Sequence, residues 1–277
     1  MRSAAIAEAT IPMAPPVTRT AAFGRRLRPF AFLATLVAAW ELVCRFWLPV
    51  LDPQFSILLP SPSVLLLTAG KMIATGELLH HLADSLRREA IAFLLALVAV
   101  PVGIGMGWWR GLHEQLYPVF EILRPIPPLA WIPLSILWFG LGDVQNEFII
   151  FLGMVFPILL NTVAGVRQVD RNLIRAARSL GAGQAALLRR VVLKAALPQI
   201  VIGLRVGLGF GWMALVAAEL VGANSGLGFL INDARSLLRT DIVIVGMLAI
   251  GITGLIIDLA LRRLARGLLP WSRELRG

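Results

Sequence analysis

Apolar residues in this chain come in long runs separated by short polar breaks. Between Pro29 and about Val50, and again over about 89–108, 116–139, 146–166, 196–220 and 242–261, polar positions are scarce. Each run approaches the roughly 20 helical residues needed to cross about 30 Å of hydrocarbon. The pattern therefore predicts an all-α membrane protein with about six transmembrane helices. Only Glu41 and Arg45 interrupt the first run, and at a spacing of four they share a helix face on which they can pair. After the stiff turn Leu59-Pro60-Ser61-Pro62-Ser63, a shorter apolar stretch from Val64 to Ala74 carries Lys71. Its length predicts an interfacial helix rather than a crossing.

One long polar island stands out in the apolar second half, from Asp170 to Pro198. At helical spacing Arg171, Arg175 and Arg178 fall on one face, with Leu173, Ala176, Ala177 and Leu180 opposite. Gly181-Ala182-Gly183 breaks that pattern. A second amphipathic turn starts at Gln184, where Leu187, Leu188, Val191 and Val192 oppose Arg189 and Arg190. The segment reads as helix, glycine joint, helix.

Composition agrees with the pattern: 58% of the 277 residues are hydrophobic and 15% charged, too little polar surface to cover a soluble globule. The formal net charge of +10 takes its meaning from placement. The N-terminal segment, Arg110, the island and the arginines from Arg262 onward all fall on one side of the predicted spans, and by the positive-inside rule that side is cytoplasmic. Were Val64–Ala74 to cross as well, the basic N-terminal segment would face away from the island. The expected organisation is a cytoplasmic tail over 1–29 without signal-peptide features, a membrane domain over 30–265 with a cytoplasmic loop over 167–195, and a cytoplasmic tail over 266–277. Basic charge spread over such loops is an anchor to membrane lipid and gives no support for nucleic acid as a partner.

Several chemistries find no footing. Cys44 is the single cysteine, so an intrachain disulfide and a cysteine metal cluster are excluded. His80, His81 and His113 lack metal-ligand spacing and read as surface histidines. No phosphate loop occurs; Ala69-Gly70-Lys71 lacks its leading glycine, so the chain is expected to hold no cofactor and to leave ATP to another protein. No serine sits in a G-x-S-x-G elbow, and no catalytic constellation is evident.

The third run carries Arg124-Pro125-Ile126-Pro127-Pro128, flanked by Pro118 and Pro133. Internal prolines remove helix hydrogen bonds and clash with the preceding turn, so this helix must be broken or kinked. Broken backbone at membrane depth is tolerated against protein or a watery cavity. Arg124, Pro127 and Pro128 are thus candidates for a translocation path, with Arg124 either giving that path an anion-attracting potential or snorkelling to the cytoplasmic edge. Asn161 and Glu219 join the candidates, although a carboxylate at a span end is as readily interfacial or paired. Gly203, Gly207 and Gly211 form a small-residue stripe suited to close helix packing, within the bundle or across a dimer.

The order of these features resembles the membrane-embedded permease subunits of bacterial ABC importers, and within them the sulfonate, taurine and nitrate/bicarbonate branch. The likeness rests on Leu59-Pro60-Ser61-Pro62-Ser63, Arg124 through Leu134, Trp138-Phe139-Gly140, Phe156-Pro157-Ile158-Leu159-Leu160-Asn161-Thr162, Ala176-Ala177-Arg178-Ser179-Leu180-Gly181-Ala182, Ala217-Ala218-Glu219 and Ser225-Gly226-Leu227-Gly228. It implies a type I importer permease fold in a bacterial inner membrane, working as a homodimer with two ATPase subunits that bind the ATP and a periplasmic binding protein. The family's cytoplasmic motif of Glu-Ala-Ala, a glycine four residues on and a later Leu-Pro is matched at Ala176, Ala177, Gly181 and Leu193. Arg175 stands where glutamate is usual and Lys194 where proline is usual. The resemblance assigns ATPase contact to Arg175, Ala176, Ala177, Arg178, Gly181, Ala182 and Gln184. It implies inward transport of a small anion, an aliphatic sulfonate or taurine, by alternating access. Nitrate, bicarbonate or another small solute is the alternative, and so is a self-sufficient secondary transporter, although no internal repeat is found.

Overall fold

The computed structural model describes residues 19–47, 50 and 58–268, and within these the side chains of residues 31–267. Every regular element among them is helical. The chain divides into two compact units, Met1–Ser63 and Val64–Gly277.

In the first unit, helix α1 (Arg19–Leu42) runs into a π turn at Val43–Trp47. The tail expected over 1–29 is therefore helical from Arg19, while its residues 1–18 lie outside the described residues. Glu41 accepts hydrogen bonds from the Ser63 backbone N–H at 3.0 Å and the Ser63 hydroxyl at 2.8 Å. The expected partner Arg45 stands farther off at 4.0 Å, so Ser63 satisfies this carboxylate more closely than the arginine does.

Helix α2 (Pro62–Ala74) follows, and its first helical residue is a proline with its φ already set for a helix. Helices α3 (Glu77–Ala96) and α4 (Ala99–Trp108) follow one another as one 32-residue apolar stretch. Next come α5 (Arg110–Leu123), a 3-10 turn at Pro128–Trp131 and α6 (Ile132–Phe139), which together bend by 82°. The proline cluster thus does break the third run. Helix α7 (Asp143–Arg167) leads to α8 (Arg171–Ser179), the short α9 (Gln184–Leu187), a π turn at Leu188–Val192 and α10 (Leu193–Gly222). The chain closes with α11 (Leu227–Ser236) and α12 (Thr240–Leu268), and the last nine residues lie outside the described residues.

Four of these helical stretches are long and apolar enough to cross a membrane, and the bent pair makes a fifth. The first predicted run is helical through Leu42, and residues 48, 49 and 51–57 within and after it are outside the described residues.

Helix α7 is the axis of the second unit, flanked by α10 on one side and by α3 and α4 on another. The glycine stripe is what lets α10 approach. A Cβ added at Gly203 would stand 2.6 Å from the Asn161 Cβ, and one at Gly207 would stand 2.6 Å from the Ile158 Cγ1. Gly211 meets Met154 in the same way, so the stripe packs inside the bundle. On the other flank, Gly107 lets α4 close on Val166.

Candidate functional site

The break between α5 and α6 opens a cavity of about 430 Å³. Arg124, Ile126 and Pro128 line it from the break, Phe156, Pro157 and Asn161 from α7, and Phe210 from α10. Pro125, Pro127 and Pro128 cannot donate to a helix ladder, and Pro127 is extended (φ −63°, ψ 143°), so the chain turns at the mouth of the cavity. The Arg124 guanidinium takes part in none of the ion pairs found among the described residues. The walls are otherwise apolar, with one amide. Asn161 is fixed by donating to the Pro157 carbonyl at 2.8 Å and accepting from the Gln199 amide at 3.0 Å. The cavity sets one cation beside largely apolar walls.

Of the path candidates read from the sequence, Arg124, Pro128 and Asn161 are thus brought together. Pro127 shapes the turn without lining the cavity, and Glu219 stands elsewhere.

Glu219 belongs to a second assembly that the sequence reading missed. Near the far end of α10 from the island it is 1% exposed, and it pairs at 2.7 Å with Arg88 of α3, itself 2% exposed. Ser85 donates to Glu219 at 2.9 Å, and the Gly228 backbone N–H donates at 2.9 Å. Arg88 also donates to Asp143 at the start of α7 and to the Ser225 carbonyl and hydroxyl. The loop Ser225–Gly228 is thereby tied to three helices. Gly226, at φ +110°, sits so close to the Glu219 carboxylate that a Cβ there would collide with it. Charges at membrane depth are tolerable when paired and hydrogen-bonded, and here the pairing also closes a loop. The visible signal was the triplet Arg87-Arg88-Glu89 heading an apolar run, a charge cluster that needed a partner.

A further ion pair was not foreseen: Arg205 of α10 reaches Asp258 of α12 at 2.7 Å, and Arg262 holds the other oxygen at 2.8 Å.

The island folds as its sequence suggests. Asp170 caps α8 by accepting from the Asn172 N–H at 2.8 Å. Its other end is a Schellman motif: Gly181, at φ +81°, donates to the Arg178 carbonyl and Ala182 to the Ala177 carbonyl. Ile174, between the apolar and basic faces, packs into the core beside Val166 and Val192, whereas Leu173 and Leu180 of the apolar face are 52% and 88% exposed. Arg175, Ala176 and Arg178 are exposed with them, as are Gly181 and Gln184, while Ala177 and Ala182 are half-buried. The stretch Gln184–Gly222 is helical throughout its 39 residues, with the π turn at Leu188–Val192 inside it, and so joins the island to the end that carries Glu219.

Residues 99–271 match the family described as the binding-protein-dependent transport system inner membrane component. The chain belongs to that family. This permease is 43% identical over 248 residues to the taurine transport system permease protein TauC of Escherichia coli, covering 87% of this chain and 88% of that one. It is 38% identical over 245 residues to the aliphatic sulfonates transport permease protein SsuC of Bacillus subtilis, covering 88% and 87%. With the nitrate import permease protein NrtB of a Synechocystis strain it shares 31% over 234 residues, covering 84% and 85%. Among solved structures, an inward-facing form of the MetNI methionine ABC transporter superposes with a TM-score of 0.60 at 20% identity, covering 68% of this chain and 94% of that one. The second is an amino acid ABC transporter, with a TM-score of 0.58 at 16% identity over 72% and 95%. The fold is that of ABC importer permeases, and the chain is an inner-membrane transport permease.

Proposed function

We propose that this permease passes a small organosulfonate anion, taurine or an alkanesulfonate, inward across the membrane, driven by ATP that a separate ATPase subunit binds and hydrolyses. The observation that carries the substrate reading is Arg124 on an apolar cavity of about 430 Å³ at the helix break. A guanidinium pairs with a sulfonate by charge-assisted hydrogen bonds, and Ile126, Phe156 and Phe210 accept the alkyl part. The likeness to TauC and SsuC points the same way.

The island is the grip for the ATPase. Leu173, Ala176 and Leu180 form an exposed apolar stripe on a helix otherwise rich in arginine, a face that a partner groove would cover. By the positive-inside rule it lies in the cytoplasm with both termini. The Arg88–Glu219 end then faces the periplasm, where a binding protein delivers the substrate. Closure of the ATPase pair moves α8, and the rod from Gln184 to Gly222 carries that motion to the loop held by Arg88. Two copies of the permease frame the path.

Growth with taurine or an alkanesulfonate as sole sulfur source tests the substrate assignment. A deletion strain should lose that growth and regain it with the wild-type gene and not with Arg124→Ala. Undiminished growth of the deletion strain on sulfonates, with loss of growth on nitrate, would replace the sulfonate with the nitrate reading that NrtB suggests.

A further inference from the structure

Below the bundle, where α4 meets α5, a separate cavity of about 750 Å³ opens against the island. Trp108 and Trp109 line it from the helix joint, Arg178 from α8, and Gln184, Leu188 and Arg189 from the far side of the glycine elbow. We infer that this cavity takes the phosphate headgroup of an anionic phospholipid, with the start of an acyl chain on its apolar floor.

Charge is the first argument. Arg178 and Arg189 come from different elements yet border one space, and the ion pairs found among the described residues engage neither. Two arginines that border one space whose lining holds no carboxylate favour an anion there, and the planar guanidinium fork matches a phosphate diester.

Placement is the second. Trp109 has an extended conformation (φ −102°, ψ 116°) that ends α4 and starts α5, leaving its indole 56% exposed. Indoles settle at headgroup depth, and α4 and α10 both lead from this level into their apolar stretches. Trp108 and Leu188 pack against the core cluster that holds Val166 and Val192 and supply a largely apolar floor. A charged mouth above an apolar floor suits a lipid, whereas inorganic phosphate has nothing to place on that floor. Basic pockets between membrane helices near the cytoplasmic face bind such headgroups.

The inference goes beyond the proposed function. Arg178 and Gln184, which the resemblance gives to ATPase contact, also border this cavity, and Leu173, Ala176 and Leu180 form an exposed stripe beside them. A bound lipid ties the elbow to the α4–α5 joint and holds α8 at one angle to the bundle.

The test is native mass spectrometry of the purified full-length permease titrated with phosphatidylglycerol or phosphatidylcholine. The wild type should retain phosphatidylglycerol at concentrations where phosphatidylcholine is lost. The Arg178→Gln/Arg189→Gln double variant should bind it about thirtyfold more weakly and either single variant about fivefold. Trp109→Ala should also weaken retention, and inorganic phosphate should not compete. Equal phosphatidylglycerol binding by wild type and double variant overturns the inference. So does displacement of the lipid by inorganic phosphate, and so does loss of ATPase co-purification with lipid binding intact, which would make this a protein-docking surface. An unchanged unfolding midpoint in neutral detergent qualifies the double variant, and if it fails to fold, Arg189→Gln and Trp109→Ala decide. Labelling of a cysteine at Arg175 from either side of the membrane scores the orientation independently.

Discussion

Arg88 and Glu219 meet at 2.7 Å although 131 positions separate them in the chain, and both are almost wholly withdrawn from the surface. The pair joins α3 to the end of α10, and through Ser225 and Gly228 it holds the loop that follows. Removing one partner leaves an uncompensated buried charge. Arg88→Ala should cost about 3–5 kcal/mol of stability, while Arg88→Met/Glu219→Leu should lose far less. Thermal unfolding in detergent measures both; a double variant no more stable than Arg88→Ala would mean that the charges stabilise by something other than their pairing.

Helix α10 lies against α7 by virtue of its glycines. Gly207→Ala forces a methyl to within 2.6 Å of the Ile158 Cγ1 and should destabilise by about 1–3 kcal/mol, whereas Gly209→Ala, with open space around its Cβ position, should be close to neutral. Unfolding midpoints of the two variants give the comparison, and equal losses would contradict the packing description.

At the elbow, Gly181 adopts φ +81° with open space around it, so a β-branched residue there meets backbone strain and no steric clash. Gly181→Val should cost about 1–2 kcal/mol locally and reorient α8. In the assembled transporter, ATP hydrolysis should persist while coupled uptake drops. Uptake and hydrolysis that fall in proportion would speak against a lever.

Much of this architecture was legible in the sequence, because apolar run length against bilayer thickness is a strong constraint. The break at Arg124–Pro128 followed from proline chemistry, and the α8 terminus from Gly181. The glycine stripe announced close packing, though only the structure gives α7 as its partner. Helical spacing placed Leu173 and Leu180 on the apolar face but could not tell that Ile174, between the two faces, is the residue that enters the core. Glu219 was misleading in isolation, since a carboxylate at a span end does not reveal a partner from a distant helix. Long-range pairs leave no periodic trace.

Arg175 is exposed on α8 at the position where the resembled motif has glutamate. On the proposed ATPase grip, Arg175 would meet an acidic residue of the groove. Arg175→Glu should weaken co-purification of the native ATPase, and reversing one acidic groove residue of that ATPase to lysine should restore it. Unchanged assembly of Arg175→Glu would remove Arg175 from the contact.

The central claim is that ATP hydrolysed by a partner drives a sulfonate past Arg124. Uptake of labelled taurine into proteoliposomes holding the permease, its ATPase and its binding protein tests it most directly. The account predicts uptake that requires ATP, falls about 10- to 100-fold in Arg124→Ala and recovers in part in Arg124→Lys. Taurine uptake at the wild-type rate in Arg124→Ala, or without the ATPase, would contradict it.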